Sequence, residues 1–260
     1  MDYNQLQTFL SIMLRDMYVF KRHIAGRVID ACVWSGTSLY VAQYVLPLFG
    51  IDQTFGSFLL LGNIAVWGMF EVGTNMGIIL GDLQGVNSLS YYLSLPLPSS
   101  WIFIRLGIMD TYRSIIPTIP ILPLGKLILW NHMSLSSIHY PKLLLSWILS
   151  HMLFAFFGLY LSSITPDFDY ITTIRQRFIF PMWFLGCYQF SWYMLHKANP
   201  MLAYLNLLNP VVYVMEAMRG CTDIGLPLLP YWLCICVMSA FTVLFAYLGI
   251  HSFKKRLDCL

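Results

Sequence analysis

Long apolar runs recur along the whole chain, separated by short stretches in which polar residues collect. Six runs approach the roughly 20 residues that a helix needs to cross about 30 Å of hydrocarbon. They lie at about 26–47, 56–80, 101–124, 142–162, 176–196 and 229–250. The pattern predicts an all-α integral membrane protein, with residues 1–260 forming a single transmembrane domain of six transmembrane helices.

The segment before the first run places its apolar side chains at helical spacing. One face would carry Leu6, Phe9, Leu10, Met13, Met17 and Phe20. Because this face ends in the basic cluster Lys21-Arg22-His23, we predict an amphipathic interfacial helix over 5–23 that lies on the membrane. Packing on a neighbouring domain is the alternative. The opening residues lack the pattern of a cleavable signal peptide, so we expect the first span to direct insertion.

The stretch 81–100 between the second and third runs is long and polar enough to leave the membrane. Leu89, Tyr92 and Leu93 fit one face of a short helix, and Pro96 and Pro98 would stop it before the third span begins. Such a helix is either a docking element or a connector.

Composition supports the membrane assignment, since 58% of residues are hydrophobic and only 10% are charged. An average soluble domain has roughly 45–50% and about 25%. The net charge of +3 is too small to indicate a nucleic-acid partner. If both termini are cytoplasmic, nine basic residues fall on the inner side and four on the outer side. The inner set is Arg15, Lys21, Arg22, Arg27, Arg175, Arg177, Lys254, Lys255 and Arg256, and the outer set is Lys126, Lys142, Lys197 and Arg219. This bias favours cytoplasmic termini.

Signatures of catalysis and of metal binding are missing from the sequence. The six cysteines form no CxxC pair, the histidines are scattered, and no phosphate-binding loop or hydrolase motif occurs. We therefore expect no catalytic residue, no metal and no cofactor bound by this chain. Any nucleotide chemistry would belong to another chain.

Ionisable residues inside the predicted spans need partners, because each costs roughly 2.5–3.5 kcal/mol on insertion scales. Glu71, Asp110 and Arg113 can lie at one depth. We predict that Glu71 pairs with Arg113, with Asp110 as the other candidate partner of that arginine. The cluster either holds spans together or faces a substrate or proton path. Asp30 would pair with Arg27, one turn earlier.

The segment Asn209–Gly220, "NPVVYVMEAMRG", has the form Asn-Pro-x(5)-Glu-x-x-Arg and precedes the last run. With the six runs and the helix before them, it resembles the membrane subunit of type-2 ABC exporters, in which the segment reads like "NPLTYVVEALRG". Matching positions are Asn209, Pro210, Tyr213, Val214, Glu216, Ala217, Arg219 and Gly220. A second match is Asp82, Gly85, Pro96 and Ser99. The family often has Glu-Arg before this stretch and Gly-Thr within it, where this chain has Gly81-Asp82 and Gly85-Val86-Asn87.

The resemblance implies a half-transporter, in which two permease copies, by default a homodimer, bind two separate ABC ATPase subunits that hold ATP and Mg²⁺. The cytoplasmic coupling helix in the loop 82–98 would contact the ATPase through Asp82, Gly85, Leu89, Tyr92 and Pro96. Short re-entrant outer helices over 198–222, before the sixth span, would close the outer end of the path. The outer gate would comprise Asn209, Pro210, Glu216 and Arg219. The two charges would pair with each other, as glue or as substrate contacts.

The resemblance further implies export across a bacterial inner (cytoplasmic) membrane of a lipophilic or amphipathic substrate, such as a lipid, a lipid-linked glycan or a drug. Small loops leave little room for a folded cargo. Two other classes stay open: an ion-coupled carrier or channel, because intramembrane carboxylates also mark ion paths, and a membrane-embedded lipid-modifying enzyme.

Overall fold

The computed structural model describes residues 3–52, 54–86, 88–222 and 225–258, with the side chains at 86–90, 131 and 257–258 outside the description. The described residues form helices joined by turns and loops, together with one isolated antiparallel bridge between Ile138 and Thr222. The α-helices are α1 Tyr3–Lys21, α2 Ile24–Tyr40, α3 Phe55–Gly81, α4 Ser88–Leu93, α5 Ser99–Ile115, α6 Ile121–Leu129, α7 Tyr140–Ile164, α8 Tyr170–Ile174, α9 Phe180–Leu185, α10 Trp192–Ala198, α11 Pro200–Asn206, α12 Pro210–Arg219 and α13 Tyr231–Asp258.

Three helical stretches are long and apolar enough to cross a membrane, at Phe55–Gly85, Tyr140–Ile164 and Tyr231–Arg256. They correspond to the second, fourth and sixth predicted spans. The bent pair α11 and α12 would make a fourth if it counted as one span. An all-helical membrane protein is therefore supported, with three to four membrane-capable helices in the described residues.

The first and third predicted spans are helical but interrupted. After α2 the backbone continues as a π-helical turn, Val41–Val45, and a 3-10 turn, Leu46–Phe49. The 3-10 turn Ile116–Thr118 separates α5 from α6. Pro47 and Pro117 lie in these 3-10 turns, and each lacks the N–H that a continuous α-helix would use. The prolines explain why neither run forms one continuous α-helix.

A single helix over the fifth predicted span, 176–196, is wrong. The π turn Arg175–Ile179 leads into α9, which ends at Leu185, and the chain turns before α10 begins at Trp192. Gly186 at this turn permits a close approach to α12, because a Cβ there would lie 2.5 Å from Cγ1 of Val211. Cys187 next to it has a φ of 61°. The apolar run that predicted a span belongs to two short helices and a turn.

The core of the bundle is α3, which is surrounded by α2, α5, α6, α7 and α12. Of its most apolar window 83% is buried, against 61% in α7 and 28% in α13. The α7 helix packs most extensively on α13, and also on α3 and α5. The apolar side chains that α13 leaves exposed are suited to lipid.

Polar connections collect at the two opposite ends of the bundle. At one, which we call the terminal end, the Arg256 guanidinium donates to the carbonyls of Thr165 (2.7 Å) and Pro166 (2.6 Å). Nearby, Nε2 of Gln84 donates to Oδ1 of Asp167 at 3.3 Å. Gln84 lies just before α4, and Tyr92 of α4 binds Arg15 of α1. Both ends of the described chain therefore lie at the terminal end.

The opposite end, the distal end, gathers the connections before α3, α7 and α13. The Ser57 hydroxyl donates to the His132 carbonyl (2.8 Å), and the His139 N–H donates to the Cys221 carbonyl (2.8 Å). Before α3, Asp52 accepts a hydrogen bond from the N–H of Thr54, which lowers the pKa of that carboxyl from its ordinary value. Long helices thus connect two structured ends.

The apolar face predicted for the N-terminal helix lies only partly on the surface. Phe9, Met13 and Phe20 are buried, and the Phe9 ring packs edge-on against Trp101 of α5 at a centroid distance of 5.7 Å. Leu6 and Leu10 are exposed. Half of the face therefore packs on the bundle of the same chain, which neither sequence-based alternative included.

The contact between α5 and α7 depends on a glycine. A Cβ on Gly107 would lie 2.4 Å from Cε1 of Phe156. We expect Gly107→Ala to destabilise the protein by about 1–3 kcal/mol through overpacking. Thermal unfolding in detergent measures this, with Gly26→Ala as the control because a Cβ there meets nothing within 4 Å. Adding Phe156→Leu should restore part of the loss, and unchanged stability of Gly107→Ala would contradict the close contact.

Candidate functional site

The Asn-Pro segment singled out in the sequence lies at the distal end, in α12. The helices α11 and α12 meet at 96°, and each begins with proline after a capping asparagine. Oδ1 of Asn199 accepts from the N–H of Leu202 (3.1 Å), and Oδ1 of Asn209 accepts from the N–H of Val211 (3.1 Å). Proline at the first helical position sacrifices no needed donor. The two Asn-Pro pairs therefore define the bend.

Asn209 also connects this bend to the preceding helix. Its Nδ2 donates to the Met182 carbonyl of α9 at 2.7 Å. Asn206 does the same from the end of α11, donating to the Leu185 carbonyl at 2.5 Å. Both amides thus bind carbonyls at the end of α9, where the helix leaves its own acceptors unpaired.

Glu216 is fully buried and joins two further segments. Its Oε1 accepts from the N–H of Trp192 at the start of α10 (2.9 Å), and its Oε2 accepts from the N–H of Leu229 just before α13 (2.9 Å). A carboxylate that accepts backbone N–H groups is stabilised in its charged form. Glu216 thus connects α12 to both neighbouring segments.

Arg219, also fully buried, lies one helical turn after Glu216, with Nη1 3.9 Å from Oε1. The predicted pairing of these two residues is confirmed. The guanidinium also donates to the carbonyls of Phe190 (3.1 Å) and Tyr188 (2.5 Å), and it stacks 3.6 Å above the ring of Phe58. We call Glu216 and Arg219 the distal hub. Since both are inaccessible, the geometry favours a structural role over direct substrate contact.

A polar cluster beside the hub was missed in the sequence. The Tyr188 hydroxyl bonds to Oδ1 of Asn63 in α3 and lies 3.2 Å from the Ser38 hydroxyl of α2. Asn63 within an otherwise apolar run was the available signal. Its partner could not be found by spacing, because Tyr188 lies 125 residues away in the chain.

The intramembrane charges pair differently from the prediction. Nη1 of Arg27 lies 2.5 Å from Oε2 of Glu71, and Nη1 of Arg113 lies 3.2 Å from Oδ1 of Asp110. The preferred pair of Glu71 with Arg113 is therefore wrong, and the alternative partner, Asp110, is correct. The expected partner of Asp30 is also wrong, because Arg27 reaches across to α3 and Asp30 is exposed. Depth along the helices was predictable, but the rotation of each helix was not.

This pairing predicts a specific energetic coupling. Glu71→Gln and Arg27→Gln should together destabilise the protein by about 0.5–3 kcal/mol less than the sum of the single changes, because the two side chains share one interaction. Glu71→Gln with Arg113→Gln should be closer to additive. Thermal unfolding of the singles and doubles in detergent measures both cycles. A stronger coupling of Glu71 to Arg113 than to Arg27 would contradict the structure.

The residues predicted to couple to an ATPase lie at the terminal end, in different surroundings. Gly85 and Pro96 are exposed, and Asp82 is half-buried. Leu89 belongs to α4, but its side chain lies outside the described residues. Tyr92 is buried, so it offers no docking surface. The neighbouring Tyr91, with 58% of its surface exposed, faces outward instead.

Tyr92 belongs to a second missed cluster. Its hydroxyl accepts from Arg15, and Arg105 stacks 3.9 Å above its ring. Asp16 accepts from both arginines, at 3.1 Å from Nη2 of Arg15. The signals were present, because Asp16 lies three residues after Met13 and four before Phe20 on the apolar face, and Arg105 lies within the third predicted span. The cluster connects α1, α4 and α5.

Two adjoining clefts with aromatic walls run between α2 and the region of α9. One of about 390 Å³ extends to Phe70 and Phe180, and one of about 570 Å³ extends to Ser38 and Tyr188. Trp34 and Trp183 line both. The walls thus combine aromatic faces with hydroxyl groups and with two charged residues, Asp30 and Arg175.

In the part of the chain that the structure describes, no three His, Cys, Asp or Glu side chains are grouped so that they could hold a metal ion. No family model matches the sequence, and no curated protein matches it either.

Proposed function

We propose that the chain is the permease subunit of an ATP-driven exporter of the type-2 ABC class. Two copies would form a path through a bacterial inner membrane, with both termini cytoplasmic and six crossings in each copy, of which the first, third and fifth are not single continuous helices. Two separate ATPase subunits would bind and hydrolyse ATP. The substrate would be lipophilic or amphipathic: a lipid, a lipid-linked glycan or a drug.

The observation that carries the proposal is the agreement between the Asn-Pro-x(5)-Glu-x-x-Arg motif and the distal hub. Asn209 and Pro210 begin α12 at the bend, and Glu216 and Arg219 connect it to α3, α10 and the segment before α13. A gate at the outer end of a path needs such a closed arrangement, since irregular backbone at membrane depth requires protein partners.

The terminal end supports the proposal through the surface that it offers to a partner. A groove of about 550 Å³ runs between α1 on one side and Tyr91 of α4 and Leu95 just after it on the other. Its α1 side is polar and uncharged apart from Arg15, with Gln7, Thr8 and Ser11 among its residues. An ATPase that binds here would move α1 and α4 together, because Tyr92 and Arg15 join them.

The clefts around Trp34 and Trp183 are the proposed wall of the path. Aromatic faces bind acyl chains or sugar rings, and the hydroxyls of Ser38 and Tyr188 can bind a polar group. An amphipathic substrate matches this combination. A second permease copy would close the open side of the clefts.

The decisive experiment is to purify the tagged permease from its membranes in mild detergent and to identify bound proteins by mass spectrometry. We expect an ATPase with a phosphate-binding loop, and we expect ATP hydrolysis by the purified complex. Tyr91→Arg, or replacement of 85–95, should abolish the association, whereas Tyr140→Arg, an exposed change at the distal end, should not. Recovery of the permease alone in several detergents would favour the ion-coupled carrier or the enzyme, with Glu71 as the next residue to test.

A further inference from the structure

A half-open cavity of about 440 Å³ lies at the terminal end, between α1, α4, the last turns of α3 and residues 105–113 of α5. Its polar wall contains Asp16, Asp82, Tyr92, Arg105 and Arg113. Its apolar wall contains Ile78, Ile79, Leu106 and Met109. The cavity is separate from the aromatic clefts and from the groove proposed for an ATPase. Neither of those two sites therefore accounts for this cavity.

Arg105 is the central group of this cavity. Only 3% of its surface is exposed, one terminal nitrogen donates to Asp16, and the guanidinium plane stacks on Tyr92. Its Nε–H is buried and has no acceptor among the described residues. Buried donors of a charged group are rarely left unpaired in folded proteins. An acceptor that enters the cavity would complete the hydrogen bonds of Arg105.

The charges around this cavity disfavour a ligand with several negative charges. Its lining contains two guanidinium groups, Arg105 and Arg113, and two carboxylates, Asp16 and Asp82, and Arg15 outside the lining shares Asp16 with Arg105. Arg113 is paired with Asp110. Asp82 adds a carboxylate to the wall, which disfavours a ligand with several negative charges. A phosphodiester carries one negative charge and offers the oxygens that a guanidinium prefers.

We propose that this cavity binds the phosphodiester headgroup of a membrane phospholipid. The apolar wall would hold the first carbons of an acyl chain, and Ile78, with 46% of its surface exposed, continues that wall onto the outside of the bundle. A free phosphate would leave these side chains without a partner, so the lipid is the better fit. The proposal rests on the membrane location of the chain and not on the exporter assignment.

The test is a titration of delipidated protein in detergent with phosphatidylethanolamine, followed by native mass spectrometry. Dioleoylglycerol, which lacks the phosphate, and inorganic phosphate, which lacks the chains, are the two comparison ligands. We expect one phospholipid to bind per chain, dioleoylglycerol not to bind at this site, and millimolar phosphate not to displace the phospholipid.

Two variants change the cavity in different ways. Gly81→Phe adds a ring at the cavity wall and leaves Arg105 itself unchanged, and a Cβ on Gly81 meets nothing within 4 Å. Arg105→Lys retains a positive charge beside Asp16 but removes the Nε–H. Each should weaken binding by about tenfold or more, equal to about 1.4 kcal/mol. The control is Gly26→Phe, because Gly26 is an exposed position on α2 with equally open surroundings.

Three results with the comparison ligands and the two variants would overturn the proposal. Dioleoylglycerol could bind as tightly as the phospholipid, phosphate could compete fully, or both variants could retain wild-type binding. A Gly81→Phe protein that remains monodisperse ensures that lost binding is not lost folding. Loss of binding in the Gly26→Phe control would likewise overturn the assignment to this cavity.

Discussion

Replacement of Arg219 by methionine is expected to lower the unfolding temperature of the protein in detergent by about 10 °C. The change removes the donors to the Tyr188 and Phe190 carbonyls and leaves the fully buried Glu216 without its counter-charge. Removing one partner of a buried ion pair typically costs about 3–5 kcal/mol. For a chain of this size, each kcal/mol shifts the unfolding temperature by about 2–4 °C. The loss of monodisperse protein with temperature measures the effect.

Three companion variants separate charge from packing at the distal hub. Adding Glu216→Gln to Arg219→Met should recover part of the stability, because the uncompensated carboxylate is removed while its two backbone donors keep an acceptor. The unfolding temperature of Arg219→Lys should lie between those of the wild type and Arg219→Met, because an ammonium keeps the positive charge but lacks the planar fork that reaches two carbonyls. The control, Arg177→Gln, changes an exposed arginine and should have little effect. A wild-type unfolding temperature for Arg219→Met would contradict the hub.

Replacement of Asp16 by alanine is expected to release α1 from the bundle. The carboxylate binds both Arg15 and the buried Arg105, so its removal leaves Arg105 charged and without an anion. We expect trypsin to cleave after the exposed Lys21 and Arg22 at least about tenfold faster, because cleavage follows the population in which this segment is locally open.

A double replacement distinguishes lost charge from lost contact. Asp16→Leu with Arg105→Met substitutes an apolar pair for the ion pair and should restore slow cleavage, as apolar replacements of buried ion pairs often do. The control is Asp30→Ala, which removes an exposed aspartate from α2. If Asp16→Ala and Asp30→Ala were cleaved equally slowly, the apolar contacts of Phe9, Met13 and Phe20 would suffice to hold α1.

The sequence by itself determined the class of the protein and its three longest helices. Runs of apolar residues that cover a membrane thickness have few alternatives to a helix, because the backbone must satisfy its own hydrogen bonds there. The sequence also determined where α12 begins, because Asn209 and Pro210 act within the first turn of that helix. Glu216 and Arg219 pair at a spacing that is fixed within one helix.

Only the tertiary structure determined which side chains contact each other. Depth could be counted along each span, but the rotation of α2, α3 and α5 placed Glu71 against Arg27 and left Arg113 to Asp110. The fifth run breaks at Gly186, where the chain packs against Val211 of α12, a helix that begins 24 residues later. Asp16 and Arg105 likewise meet only because α1 and α5, which are distant in the chain, pack together. Helices form from local hydrogen bonds, whereas their partners are chosen by side chains that are remote in the chain, and no local pattern records that choice.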